Sequence, residues 1–264
     1  KGGIIRELDH RGVSANLTNT IARHEEEYHK KILAKMGKSK DAAIARTIHE
    51  DVKPIDPGLK SEFCYDKHIR GCLVDHFMDK ITGIDAFTDC KYNERGDFVN
   101  AVYKAKKEKD KVVLAREGSV GGRRLAITKE IKLKDKKQIE IFYTLKNLSN
   151  KPFDLIFGVE FNFTMPYLNS DRYRYFAGDK ILGSLNEKGS VSETAFFSIK
   201  DSAKELDITL EFSKNPENVW YFPVKTVSQS ERAYELNYQA SCILPRWDIN
   251  IPINKQISFT IIFS

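Results

Sequence analysis

The feature that most constrains this chain is a long succession of short apolar or alternating segments separated by turn-forming residues. Residues 126–133, 138–145 and 153–163 are of this kind, with turn-like residues between them. The pattern continues at residues 193–199, 206–212, 219–224, 235–243 and 256–263. Alternation with short connections is typical of antiparallel hairpins. The sequence therefore predicts a mainly β fold, a large sandwich of antiparallel sheets.

The first quarter of the sequence differs from the rest. Residues 4–9 read as a first strand, and apolar residues then recur at helical spacing, at Leu17, Ile21, Tyr28, Ile32 and Met36. Residues 38–59 are polar and contain two prolines, which indicates a connector. We expect one β-sandwich domain over 1–264. Residues 1–60 would hold the first strand, a short helical segment and the connector, and 61–264 the main sandwich.

Composition narrows the classes of function. The chain has 264 residues, 41% of them hydrophobic, and its net charge of +6 is spread along the sequence rather than gathered in one block. A nucleic-acid partner is therefore not indicated. No apolar stretch approaches the roughly 20 residues that span a bilayer, and no signal peptide opens the chain, so we expect neither a membrane nor a nucleic-acid partner.

The four cysteines have no metal-binding spacing, and we expect reduced thiols and a cytoplasmic protein. A disulfide between Cys64 and Cys72, or between Cys90 and Cys242, stays open. The chain begins at Lys1 without methionine, which is compatible with a piece of a longer protein and equally with removal of the initiator residue.

Two strings resemble functional motifs but lack the required spacing. His24 and His29 bracket an acidic helix, yet two histidines ligate one metal from a helix when they are four residues apart, and these are five apart. The glycine-rich residues 118–122 lack the Lys-Ser/Thr ending of a phosphate loop and lead into a strand, so they indicate a hairpin turn. We expect no metal and no cofactor.

Three residues are candidates for contact with a sugar. Glu160 and Asn162 alternate on one predicted strand, and if both face a concave sheet they can hydrogen-bond sugar hydroxyls. The alternative for Glu160 is an ion pair with a cross-strand Arg or Lys. Trp247, between Arg246 and Asp248, is the aromatic residue with the best prospect of a polar edge, although most aromatic residues of a sandwich belong to its core. No catalytic residue is assigned.

Several blocks carry a family resemblance, and together they run in order through nearly the whole chain. They are residues 2–30 (GGIIRELDHRGVSANLTNTIARHEEEYHK), 48–53 (IHEDVK), 65–66 (YD) with 73–77 (LVDHF), 157–164 (FGVEFNFT) and 219–247 (VWYFPVKTVSQSERAYELNYQASCILPRW). The chain resembles the C-terminal region of the α-amylases and 4-α-glucanotransferases of glycoside hydrolase family 57.

This resemblance implies a β-supersandwich similar to galactose mutarotase, with a short helical segment near the N-terminus. In the family, this region follows a catalytic (β/α)₇-type barrel that carries the nucleophile Glu and the acid/base Asp, and no part of this chain matches that barrel. The implied role is non-catalytic support of the barrel in an enzyme that acts on α-1,4-glucans with retention. The partner would be the barrel, with α-glucan contact as an addition and homo-oligomer formation left open.

Two other functions are weighed against this one. An aldose-epimerase-like enzyme needs a histidine acid and a glutamate base on the sandwich, and all six histidines precede the main run of strands, which argues against it. A stand-alone carbohydrate-binding module would show exposed, coplanar aromatic side chains. An apolar patch around the predicted helix at 17–36 would instead favour docking to a barrel.

Overall fold

The computed structural model describes residues 2–37, 62–135, 137–166, 172–229 and 234–264. Its strands are β1 (Asp9–His10), β2 (Ala15–Asn16), β3 (Val74–Met78), β4 (Lys104–Lys107), β5 (Lys111–Val120), β6 (Arg123–Leu133), β7 (Ile139–Asn147), β8 (Phe153–Phe163), β9 (Tyr173–Ala177), β10 (Lys180–Ser184), β11 (Gly189–Ser192), β12 (Phe196–Asp201), β13 (Ile208–Phe212), β14 (Asn218–Gln229), β15 (Tyr234–Ile251) and β16 (Gln256–Phe263). The helices are α1 (Glu27–Gly37) and α2 (Ile84–Thr88). Within these ranges no helix is both long and apolar enough to cross a bilayer.

Two antiparallel sheets enclose the main core. The larger sheet has nine strands in the order β10-β9-β12-β13-β16-β7-β6-β5-β4, and the smaller has five in the order β11-β14-β15-β8-β3. Strands β1 and β2 form a separate hairpin. The predicted turn at 118–122 joins β5 to β6, and its Gly121 and Gly122 have positive φ, as a tight two-residue hairpin turn requires. The predicted mainly β fold of antiparallel sheets is confirmed.

Strand β8 separates two cores. Its odd-numbered residues within 153–163 belong to the main core between the sheets. Ile156 belongs instead to a smaller apolar cluster that includes Phe87 of α2. Because successive side chains of a strand point to opposite faces, Glu160 and Asn162 share the outer face of the smaller sheet with Ile156. The smaller sheet therefore has a second covered face, and the candidate site lies there.

The helix near the N-terminus is shorter than the sequence pattern at 17–36 predicts, because α1 begins only at Glu27. The side chain of Asn16 accepts a hydrogen bond from the amide of Leu8 at 3.3 Å, and the amide of Leu17 donates to the Leu8 carbonyl at 2.8 Å. These bonds tie the residues after β2 to the preceding segment, so their backbone groups are not free to start a helical turn. Leu17 is buried in the main core instead.

The apolar face of α1 is used within the chain. Ile32 is fully buried against Val227 of β14, and Tyr28 and Phe63 pack beside this pair. Ile21 remains 59% exposed. Of the apolar residues expected to form a docking surface around the helix, Ile32 and Tyr28 therefore pack against this chain's own strand β14.

The predicted first strand at 4–9 is also reduced. Ile5 forms an isolated antiparallel bridge with Cys72, and regular pairing begins only with β1. The predicted connector at 38–59 lies outside the described residues, and the division into 1–60 and 61–264 stays a prediction. All four cysteines, which lie inside the described ranges, are free.

Candidate functional site

A buried polar cluster lies on the outer face of the smaller sheet. We refer to it as the Glu160 cluster, and its members are Asp66, His68, Arg70, His76, Glu94, Glu160 and Asn162. Strand β8 supplies Glu160 and Asn162, strand β3 supplies His76, and the loop segments on either side of β3 supply the rest. Polar groups removed from water are expensive unless they are paired, so the partners of each member decide what the cluster can do.

Glu160 is the centre of the cluster and is fully buried. Its Oε2 lies 2.9 Å from Nε2 of His68 and 2.9 Å from Nε2 of His76. Its Oε1 accepts from Nη1 of Arg70 at 3.2 Å and from Nδ2 of Asn162 at 2.6 Å. A carboxylate only accepts hydrogen bonds, so both imidazoles donate to it. All four donors converge on one carboxylate.

The sheet itself brings His76 to Glu160. Strand β3 pairs antiparallel with β8, with Val74 opposite Glu160 and His76 opposite Gly158. His76 is two residues from Val74 and therefore on the same face of β3. Although 84 positions separate His76 from Glu160 along the chain, their side chains are neighbours across two paired strands.

His76 is held between two carboxylates. Its Nδ1 lies 2.8 Å from Oε2 of Glu94 and 3.0 Å from the hydroxyl of Tyr92, and its Nε2 donates to Glu160. Burial alone would lower the pKa of His76, but the hydrogen bonds to Glu160 and Glu94 favour the charged ring and raise its pKa to about 9. His76 is therefore an imidazolium at neutral pH.

A second buried carboxylate extends the cluster towards the N-terminal segment. Oδ1 of Asp66 accepts from Nη2 of Arg23 at 2.8 Å and from Nη2 of Arg70 at 2.7 Å. Burial opposes ionisation of Asp66, but the two guanidinium groups outweigh it and hold its pKa well below the usual range. Arg70 thus bridges Asp66 and Glu160, and alternating charges tie the residue-66 loop to both β8 and Arg23.

The environment of Glu160 makes it a weak base. Burial would raise its pKa, but the charges and hydrogen bonds of His68, Arg70 and His76 hold that pKa well below the usual range. A general base must also come within hydrogen-bond reach of a substrate proton. Glu160 has no exposed surface and already accepts from four side chains, so the arrangement is that of a structural ion-pair network.

The same geometry bears on metal binding. One ligand atom from each of His68, His76 and Glu160 lies within 4.8 Å of the others, and two histidines with one carboxylate form a set that suits Zn²⁺ or Fe²⁺. Metal ligation requires neutral imidazoles with free lone pairs. Here both Nε2 atoms are engaged in hydrogen bonds to one carboxylate oxygen, and the Arg70 cation sits 3.2 Å from the other oxygen. These three residues do not fit a metal in this arrangement.

The structure brings two of the three sequence-predicted site residues together. Asn162 is fully buried, donates to Glu160 and to the Gly71 carbonyl at 2.9 Å, and has an Oδ1 without a hydrogen-bond partner. The alternative interpretation of Glu160 as the partner of a cation describes what is observed, although Arg70 comes from a loop and not from a facing strand.

Trp247 lies elsewhere, in the main core on β15. It is 1% exposed, and its indole packs against Phe157 and Phe259 with ring centroids 6.3 and 4.5 Å away. Its Nε1 donates to the Lys214 carbonyl at 2.8 Å, so the ring does have a polar edge, but that edge is satisfied within the chain. No ring face of Trp247 is open to a sugar.

Sequence reasoning missed the histidines. The sequence argument against an epimerase-like site relied on all six histidines preceding the main run of strands, yet two of these early histidines, His68 and His76, contact Glu160. The only signal in the sequence was the presence of Asp75 and His76 inside the short apolar run 73–78. Knowing that His76 meets Glu160 requires the pairing of β3 with β8, which local pattern does not give.

A surface cavity of about 210 Å³ lies beside the cluster, between the N-terminal segment and the β14–β15 hairpin. Its lining includes Arg23, Tyr28, Cys64, Tyr65 and Val227. Glu160, Asn162 and Trp247 are not among its lining residues. The open space and the buried carboxylate are therefore separate features.

Comparison with known proteins identifies the family to which the chain belongs. The family described as "Alpha-amylase/4-alpha-glucanotransferase, C-terminal" matches residues 1–261. The 4-alpha-glucanotransferase of Thermococcus litoralis is 30% identical over 268 residues, which cover 99% of this chain and 36% of that protein. Alpha-amylase 1 of Dictyoglomus thermophilum is 27% identical over 264 residues, with 99% and 37% covered. The crystal structure of the Thermococcus litoralis 4-alpha-glucanotransferase matches with a TM-score of 0.72 and 26% identity, over 99% of this chain and 34% of that one.

The chain spans about a third of the length of the curated relatives it matches. The similarity nevertheless extends over almost all of its own residues, in sequence and in structure. The chain belongs to the family of C-terminal regions of alpha-amylases and 4-alpha-glucanotransferases.

Proposed function

We propose that this chain is the non-catalytic C-terminal β-sandwich of an enzyme that acts on α-1,4-glucans, and that it supports a catalytic barrel. The relatives it matches are named as alpha-amylases and 4-alpha-glucanotransferases, and each is nearly three times as long as the matched region. In the glycoside hydrolase family that the sequence resembles, the nucleophile and the acid/base lie on the barrel. Bond cleavage is accordingly assigned to that partner and support to this chain.

The observation that carries this proposal is the closure of Glu160. Glycoside hydrolysis with retention needs two carboxyl groups that reach the same glycosidic bond, one as nucleophile and one as acid/base. The buried carboxylates Glu160 and Asp66 are each saturated by cations of the chain and have no exposed surface at their side chains. Neither is available to a substrate in this arrangement.

The test is an assay of the purified chain with maltooligosaccharides of several lengths. Chromatography of the products would report both hydrolysis and transfer of glucose units. We expect the oligosaccharide distribution to stay unchanged. Turnover that follows the folded chain through purification would contradict the proposal.

Contact with an α-glucan is a separate part of the proposal and needs its own measurement. The residues expected to make it, Glu160, Asn162 and Trp247, are buried, so contact would fall on other surface residues. Calorimetric titration with maltoheptaose measures it directly. Binding without turnover would support a glucan-contacting accessory domain, and absence of binding would restrict the role to support of the barrel.

One observation favours a second candidate, an aldose-epimerase-like activity. Two histidine Nε2 atoms lie 2.9 Å from one glutamate oxygen, and a histidine acid with a glutamate base is what ring opening of an aldose needs. Against it stands the lack of any exposed surface at Glu160. Polarimetry of freshly dissolved glucose or galactose decides between them: acceleration by the chain above the buffer rate would establish the epimerase, and an unchanged rate would exclude it.

A further inference from the structure

The surface cavity of about 210 Å³ beside the Glu160 cluster has an aromatic wall. Tyr28, Phe63 and Tyr65 line it, and each of the three is only half-buried. The His29 ring packs against all of them, with ring centroids 4.5 Å from Tyr28, 5.1 Å from Phe63 and 5.8 Å from Tyr65. Tyr65 stacks on His29 at an interplanar angle of 20°, so His29 occupies only one face of the Tyr65 ring.

Hydrogen bonds hold this wall in place through His29. The amide of Glu26 donates to Nδ1 of His29 at 3.1 Å, and the Tyr65 hydroxyl lies 3.2 Å from the same nitrogen and donates to it. Nε2 of His29 donates to the Val227 carbonyl at 3.2 Å, and the Tyr28 hydroxyl donates to that carbonyl at 2.9 Å. The wall is therefore fixed to β14 and does not have to be ordered when a ligand binds.

The Glu160 cluster holds the segment that carries Tyr65. The next residue, Asp66, pairs with the guanidinium groups of Arg23 at 2.8 Å and Arg70 at 2.7 Å. In addition, the Asp66 amide donates to the Arg23 carbonyl at 2.9 Å, and the Arg23 amide donates to Oδ2 of Asp66 at 2.7 Å. Arg23 itself lines the cavity. The closed polar cluster thus gives an open cavity a rigid boundary.

The cavity also has polar side chains that are free to bind a ligand. His24, Glu62 and Lys225 line it, and within the described ranges their side chains make no hydrogen bond and no ion pair. Gln239 donates through Nε2 to the Thr226 hydroxyl at 2.8 Å, which leaves its Oε1 as an acceptor. Donors and acceptors therefore stand around an aromatic wall, which is the usual composition of a small-molecule site.

This combination favours a neutral ligand with many hydroxyl groups. A simple anion would meet the carboxylates of Glu26 and Glu62, and a simple cation would meet the Lys225 ammonium. A pyranose ring presents C–H groups on its faces, which pack on aromatic rings, and hydroxyl groups at its edge, each of which both donates and accepts. The lining matches both parts of such a ring.

We propose that this cavity is a binding subsite for one glucosyl unit of an α-glucan, with Phe63 and Tyr65 against the sugar ring and Glu62 and Lys225 hydrogen-bonded to its hydroxyls. The proposal rests on the proposed function, which supplies the glucan, and it locates glucan contact outside the three buried residues for which the sequence predicted it. A site for a single unit binds weakly, with a Kd of about 1 mM. It gains effect when the barrel holds the same glucan chain.

The test is a titration of the native 264-residue chain with maltotriose, followed by proton–nitrogen correlation spectra. We expect saturable shifts at the cavity residues, and none with sorbitol, which carries hydroxyl groups but no pyranose ring. Glu62→Ala and Lys225→Ala should each weaken binding about tenfold, because each removes a charged hydrogen-bonding group. The matched controls Glu211→Ala and Lys214→Ala, at exposed positions outside the cavity lining, should bind like the parent chain.

Unchanged affinity in both cavity variants, equal binding of sorbitol, or shifts confined to another surface would overturn the subsite. So would the absence of saturable shifts up to about twenty times the expected Kd. Should a variant fail to fold, cross-relaxation between sugar protons and the rings of Phe63 or Tyr65 in the parent chain decides: its presence supports the subsite, and its absence at saturation overturns it. None of these outcomes touches the supporting role of the chain, which the product assay tests separately.

Discussion

Replacing Glu160 by glutamine is the most informative single change in this chain. The amide keeps the shape of the side chain but removes its charge and turns one of its two oxygens into a donor. Whichever way the amide is oriented, its NH₂ group faces either the two histidines or the pair formed by Arg70 and Asn162, all of which donate to the carboxylate. Hydrogen-bond donors of the glutamine then face the donors of its neighbours in a buried site, without an acceptor between them.

The expected cost follows from what is left unpaired. Removing one partner of a buried ion pair typically costs about 3–5 kcal/mol, because the other charge stays buried without compensation. Arg70 keeps its ion pair with Asp66 and His76 keeps its contact with Glu94, so the loss of stability should be smaller than for a charge left without any partner. We therefore expect Glu160→Gln to lower the free energy of unfolding by about 3 kcal/mol, the low end of that range.

Denaturant unfolding followed by tryptophan fluorescence measures this change as a shift in midpoint at unchanged slope. The matched control is Glu211→Gln, an exposed glutamate in β13, for which we expect a change within about 0.5 kcal/mol. A Glu160→Gln variant as stable as this control would refute the interpretation of the Glu160 cluster as a structural ion-pair network.

Three further predictions concern other buried groups. The pKa of His76 is raised to about 9, so the stability that the protonated ring contributes should be complete below about pH 6.5 and lost as the pH rises through 9. The free energy of unfolding should fall by up to about 3 kcal/mol over that window, and the His76→Gln variant should not show this fall. Lys129→Met should cost about 3–5 kcal/mol, because the buried Asp75 carboxylate loses its cation and keeps only the hydrogen bonds from the Tyr103 and Tyr143 hydroxyls; Asp75→Asn should recover part of that loss in a denaturation-based double-mutant cycle. Trp247→Ala should cost about 3–5 kcal/mol of stability by opening a core cavity, while calorimetry on the folded fraction should show unchanged maltoheptaose affinity.

The regular part of the fold was predictable because its hairpins are local. Strands β6 and β7 are consecutive, are joined by a short turn and pair directly, and the alternation of apolar and polar residues in each is visible in the sequence. The helix was less predictable: Leu17 has the spacing of a helical residue, but the side chain of Asn16 and the bond to Leu8 use the backbone differently. Tertiary hydrogen bonds there override a local pattern.

The site was predictable only in part for a related reason. Glu160 and Asn162 share a strand, so period-two alternation was enough to place them on one face. His68, Arg70 and His76 come from more than 80 positions earlier, and they meet Glu160 only through long-range strand pairing and a loop that folds over the sheet. Trp247 shows a second limit of the sequence: its polar neighbours suggested an exposed edge, but neighbours along a strand do not reveal which face of that strand is buried.

The most direct test of the central claim, that the Glu160 cluster is closed by its own side chains, is a long-range proton–nitrogen spectrum of the histidine imidazoles at neutral pH. The account predicts that His76 carries protons on both ring nitrogens and that the signals of His68 and His76 do not move when glucose or maltoheptaose is added in excess. A neutral His76 ring, or shifts of these signals on addition of sugar, would contradict it and would open Glu160 to a catalytic or binding role.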